Sequence, residues 1–91
     1  MQKNIAKDIA FGALSFILSE DSLRDRFLAL SGMAPEDMRA RIQDTSFLAS
    51  ILEFLLSHEP DLLAYSDHAD ENPENIAVAW RALGGGAGYE W

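Results

Sequence analysis

The chain has 91 residues, fifteen acidic against seven basic side chains, a formal net charge of −8 and no cysteine. That length fits one domain. The missing cysteines exclude a disulfide framework or thiolate metal site, and the acidic excess makes a phosphate polyanion a poor partner.

Helix one is predicted over about residues 3–19. Ile5, Ile9, Ala13, Phe16 and Ile17 follow helical spacing, and Ala6, Ala10, Leu14 and Leu18 widen the stripe. So wide a stripe marks a central helix. Lys3 and Lys7 before an apolar stretch faintly suggest an export signal, but Asp8 interrupts it, and the segment reads as a folded helix. Asp21 or Ser22 is expected to cap helix two, with Leu23, Phe27, Leu28 and Leu30 apolar and Gly32 as its stop. Pro35 suits the first position of helix three, with Glu36 and Asp37 favourable in the first turn and Met38 and Ile42 on the buried side.

Helix four is expected to start from an Asp44 or Thr45 cap and to carry Phe47, Leu48, Ile51, Leu52, Leu55 and Leu56. Pro60 opens helix five, with Leu62, Leu63 and Tyr65. Asn72 caps helix six, Pro73 follows, and Ile76, Trp80 and Leu83 line one side until Gly84–Gly86 stop it. No alternating run signals a strand. The fold class read from this pattern is all-α: a compact bundle of five to six short helices. No apolar run is long enough to span a membrane.

Residues 16–21, FILSED, recur as FLLSHE at 54–59, and Pro35-Glu36 recurs as Pro73-Glu74. Both matches share an offset of 38 positions. They predict two related three-helix units, 9–46 and 47–84, within a single domain over 1–84, followed by a flexible tail at 85–91. Gly12 and Ser50 fall at matched positions. They read either as small residues where the two central helices cross closely, or as tolerated local choices, at about 1 kcal/mol for a glycine in a helix.

The second unit carries the charge. Between 42 and 80 there is no Lys or Arg. Glu59, Asp61, Asp67, Asp70, Glu71 and Glu74 gather there, and with Tyr89 and Trp91 of the tail they form the candidate partner surface. His58 and His68 stand amid these acids and define the alternative, a metal-dependent protein or small enzyme, but they lack the spacing of a metal-binding helix. Arg24, Arg26, Arg39 and Arg41 are offset by Asp25, Glu36 and Asp37 and read as a balanced solvated face. Gly84–Gly86 with Gly88 is not a phosphate loop, since no strand precedes it and no Lys-Ser/Thr follows.

Residues 27–56 carry a further pattern: Phe27–Gly32 as FLALSG, then Pro35, the pair Met38-Arg39, and the helix Phe47–Leu56 as FLASILEFLL. This stretch resembles the core of a bacterial family known as domain of unknown function 3572, with a weaker likeness over 9–84. The resemblance implies a small cytoplasmic helical protein and transfers no active-site residue. The expectation from the charge pattern is a non-enzymatic protein-interaction module, an adaptor or regulator with an acidic face that suits a basic partner, with no cofactor, no metal, no membrane association and no nucleic acid. A nucleic-acid role through the first three-helix unit ranks third.

Overall fold

A computed structural model describes residues 1–86. Six helices follow in order: α1 (Lys3–Ser19), α2 (Asp21–Ser31), α3 (Pro35–Ala40), α4 (Thr45–Leu56), α5 (Glu59–Ala69) and α6 (Pro73–Ala82). No strand occurs among the described residues. The all-α expectation holds.

Punctuation in the sequence sets most boundaries. Gly32 adopts φ 67°, and its N–H donates to the Leu28 carbonyl at 3.0 Å, closing α2 in the left-handed region that glycine tolerates best. Pro35 and Pro73 open α3 and α6. Asp44 caps α4, its carboxylate accepting from the Ser46 N–H at 2.9 Å, and Asn72 caps α6 by accepting from the Glu74 N–H at 2.9 Å. The cap expected from Asp21 or Ser22 is not made. Glu20 alone joins α1 to α2, and its carbonyl, accepting from Arg24 N–H at 2.8 Å, starts the helix one residue early.

Helices α1 and α4 pack on each other, and α6 lies across both. Helix α2 rests on α1, while α5 rests mainly on α4. Ile17, Leu48, Ile51, Leu52, Leu55 and Ile76 are fully enclosed. Each such side chain contributes about 1.5–3 kcal/mol relative to an exposed one. The buried arc of α1 is narrower than the sequence stripe. It centres on Ala6, Ala10, Ala13 and Ile17, all at 0 % exposure, while Ile5 and Leu18 face outward at 47 % and 38 %. The three alanines allow the neighbouring helices to approach closely.

The two short proline-led helices differ. Helix α6 is sandwiched onto the central pair, whereas α3 is peripheral and is pinned by Met38 alone, 4 % exposed. At the far end, Gly85 and Gly86, expected at the start of a tail, fold onto Trp80. The Gly85 N–H donates to the Trp80 carbonyl at 2.8 Å. A Cβ at Gly85 would sit 2.3 Å from the Trp80 indole nitrogen, so the ring itself demands glycine there.

Candidate functional site

Helix α5 carries most of the residues singled out in the sequence. Glu59, Leu63, Asp67 and Asp70 follow one another by four, four and three positions, so they form one outward ridge. All four are exposed, Leu63 at 48 %. Asp70 ends the helix in the left-handed region, φ 52°, and Glu71 and Glu74 continue the acidic surface across the turn into α6. Among the described residues, none of these five acids takes part in an ion pair. Glu71 accepts a hydrogen bond from the Asn75 amide at 2.8 Å. Asp67 and Asp70 sit at the negative end of the α5 dipole, an unfavourable place for carboxylates, whereas Glu74 sits in the favourable first turn of α6.

Asp61 is a correction to the open acidic surface. Its side chain is only 12 % exposed and turns inward, where it pairs with Arg26 of α2 and accepts from Nδ1 of His58 at 2.9 Å. Arg26 lies over the Phe54 ring, 5.1 Å from its centroid. Asp61 therefore ties α5 to α2. Its pairing was not visible in the sequence because Arg26 lies 35 positions away.

The two histidines part company as well. His58 precedes the first turn of α5 and His68 is in its last, so ten residues of helix rise, about 15 Å, separate them. One ion cannot take both. His68 stacks on Phe16 with centroids 5.0 Å apart. Among the described residues, no group of three or more metal-ligating side chains converges. Tyr89 and Trp91 lie outside the described residues.

Two surface hollows flank the central helices. One, of about 420 Å³, lies between α2 and α4; the other, of about 460 Å³, lies between α1 and α5. Every residue lining the second is offset by 38 positions from one lining the first: Gly12 and Ser50, Ser15 and Glu53, Phe16 and Phe54, Ser19 and Ser57, Tyr65 and Phe27, His68 and Leu30, Ala69 and Ser31. The aromatic contacts beneath them match in the same way. Phe27 meets Phe54 edge-on at 5.2 Å, and Tyr65 meets Phe16 at 5.5 Å.

Gly12 takes its meaning from the α1/α5 hollow. It does not mediate an α1–α4 crossing. A Cβ there would lie 2.6 Å from the Tyr65 hydroxyl, which donates to the Ile9 carbonyl at 3.1 Å. Burial, and then the charge of Glu71, raises the Tyr65 hydroxyl above its usual pKa. Ser50, at the matched position, is exposed and bonds its own helix, donating to Phe47 O at 2.6 Å. Ser19 and Ser57 close α1 and α4 alike, donating to Phe16 O at 2.7 Å and Glu53 O at 2.6 Å.

No helix among the described residues is long and apolar enough to cross a membrane. Neither curated proteins nor solved structures provide a match. The family described as a protein of unknown function (DUF3572) does match, over residues 3–86, and the chain belongs to it.

Proposed function

We propose that the chain is a non-enzymatic interaction module, an adaptor or regulator, whose α5 ridge docks a basic protein. The observation that carries this reading is the ridge itself: Glu59, Leu63, Asp67 and Asp70 in helical register, exposed, and outside every ion pair of the described residues. Folding stability does not call for Asp67 and Asp70 at a helix C-terminus, where the dipole opposes them. A basic partner does. It would be steered by the negative field, and Leu63 would supply an apolar contact within the charged stripe. Absence of cysteine fits a reducing cytoplasm. The metal-dependent and enzymatic reading gains nothing from His58 and His68, which face different neighbours.

The test is capture from cell extract on immobilised protein, read at low and high salt. A basic protein should bind the wild type, weaken as the Debye length falls from about 10 Å at 0.1 M to about 3 Å at 1 M, and be lost on Asp67→Lys/Asp70→Lys/Glu71→Lys. Reversal at Glu36 and Asp37 on α3 should leave capture intact. Binding indifferent to salt and to the α5 reversals would overturn the reading.

A further inference from the structure

A further hollow, of about 410 Å³, lies between α4 and the end of α6. Ala49, Ser50 and Glu53 line it from α4, Trp80 and Leu83 from α6, and Gly84 and Gly85 close its edge. The chain therefore passes residue 86 at the rim of this hollow. Gly84 at φ 95° and Gly86 at φ 78° turn it back over the Trp80 ring, and a Cβ at Gly86 would lie 3.1 Å from that ring. Ala87, Gly88, Tyr89, Glu90 and Trp91 follow. Tyr89 is three residues on, so its Cα lies within about 11 Å of that of Gly86, and that of Trp91 lies within about 18 Å. In an extended chain residues two apart share a face, so this sequence sets both aromatic rings on one side and Glu90 on the other.

We infer that residues 87–91 of the same chain cover the α4/α6 hollow, with Tyr89 and Trp91 laid against α4 and Glu90 turned to solvent. The tether decides the occupant. A link of three residues holds Tyr89 beside the hollow at an effective concentration in the millimolar range, about a thousandfold above a second copy at micromolar protein concentration. The chemistry of the walls agrees. Ala49 and Leu83 are buried apolar surface and Trp80 is a half-buried indole, all suited to an aromatic ring. Glu53 is the one charged side chain lining the hollow among the described residues, and it is in no ion pair there. An ionised carboxylate only accepts, so it suits a phenol O–H or an indole N–H and would repel a second carboxylate. The neighbouring Asp44 is already engaged by Ser46 at the start of α4. The inference takes Tyr89 and Trp91 out of the candidate partner surface and is independent of the α5 reading.

Solution NMR of the full 91-residue chain tests it. Nuclear Overhauser effects should join the Tyr89 ring to the methyl groups of Ala49 and Leu83, at every protein concentration. In a mixture of labelled and unlabelled chains they should be absent between copies. Tyr89→Ala should move the Ala49 methyl resonance by removing the ring current, whereas Glu90→Gln should leave it in place. Both substitutions lie outside the core, so the helical circular dichroism should be unchanged. No effect between Tyr89 and either methyl group, an effect that arises between copies, or an Ala49 resonance indifferent to Tyr89→Ala would each overturn the assignment.

Discussion

The hollow between α2 and α4 and the hollow between α1 and α5 are lined from positions 38 apart and are similar in volume, yet their matched side chains are engaged differently. In the α1/α5 hollow, Tyr65 carries a hydroxyl that reaches the Ile9 carbonyl and fills the space a side chain at Gly12 would need. In the α2/α4 hollow, the matched Phe27 carries no hydroxyl and the matched Ser50 keeps its side chain. Likewise His68 lies against Phe16, whereas the matched Leu30 stands out in solvent. The comparison teaches that the same scaffold positions can be used for internal fastening in one place and left available in another. We read the chain as two related units whose matched aromatic pairs bind the α2 of one to the α4 of the other, and the α5 of one to the α1 of the other.

The largest test of that reading removes the aromatic hinge of each hollow. Phe16 and Phe54 are each 8 % exposed at matched positions. Phe16→Ala and Phe54→Ala should each cost about 3–5 kcal/mol in urea unfolding, a large share of a small domain's stability. Near-equal losses fit two equivalent hinges. If one loss is several-fold smaller, the matched residues do not play matched roles.

A sharper test addresses the contact of Gly12 with the Tyr65 hydroxyl. Gly12→Ala alone should destabilise by about 1–3 kcal/mol, since the new Cβ would collide with the Tyr65 oxygen. Tyr65→Phe alone should cost about 0.5–1.5 kcal/mol for the hydrogen bond to Ile9. In the Tyr65→Phe background the next ring atom is 3.8 Å from the Cβ, an ordinary contact. Gly12→Ala should there become neutral or stabilising by up to about 1 kcal/mol, the helix preference of alanine over glycine. Additive costs in the double-mutant cycle would show that the clash is relieved elsewhere.

The same hydroxyl gives a pH signature. Its folded pKa lies above the unfolded value of 10.0. The folded state therefore holds the proton more tightly, so this contribution is complete below pH 10.0 and lost as pH rises through the folded pKa. Melting temperature should fall more steeply above that pH in the wild type than in Tyr65→Phe. The opposite holds for Asp44, whose carboxylate is held below its usual range by the Ser46 hydroxyl and N–H. Its contribution is present above pH 3.8 and is lost as pH falls through the lower folded value.

What the sequence made legible was local. Pro35, Pro73, Asp44, Asn72 and Gly32 mark helix ends because caps and breakers act within a few residues. The apolar periodicity of α4 likewise marked the central helix correctly. What stayed hidden was pairing across the fold. Asp61 read as one acid among six until Arg26 and His58 turned it inward. Gly12 was expected at a helix crossing or as a tolerated glycine, because nothing in its neighbours names Tyr65. Trp80 was placed correctly on the helix face, but its covering by Gly85 and Gly86 depends on a chain reversal that glycines permit and do not specify.

The smallest effect compares the two proline-led helices, α3 and α6, through their first caps. Asn72 caps α6, and the residue 38 positions earlier, Ala34, occupies the same place before α3 with extended backbone, φ −83° and ψ 158°, and no side-chain bond to the helix. Helix α3 has only the return half of a capping box, in which Asp37 accepts from the Ala34 N–H at 3.1 Å. Exchanging the two residues should therefore act in opposite directions. Asn72→Ala should cost about 1 kcal/mol of global stability, because α6 packs on both central helices and must form for the core to close. Ala34→Asn should supply the missing bond to the second or third N–H of α3, but its gain should register locally. Helix α3 is six residues long and peripheral, so it can open while the core stays folded. Amide exchange across 36–40 should slow several-fold in Ala34→Asn, with a melting temperature almost unmoved. If the exchange stays as in the wild type, a side-chain acceptor at position 34 does not hold α3 closed, and the difference between the two helices lies in packing alone.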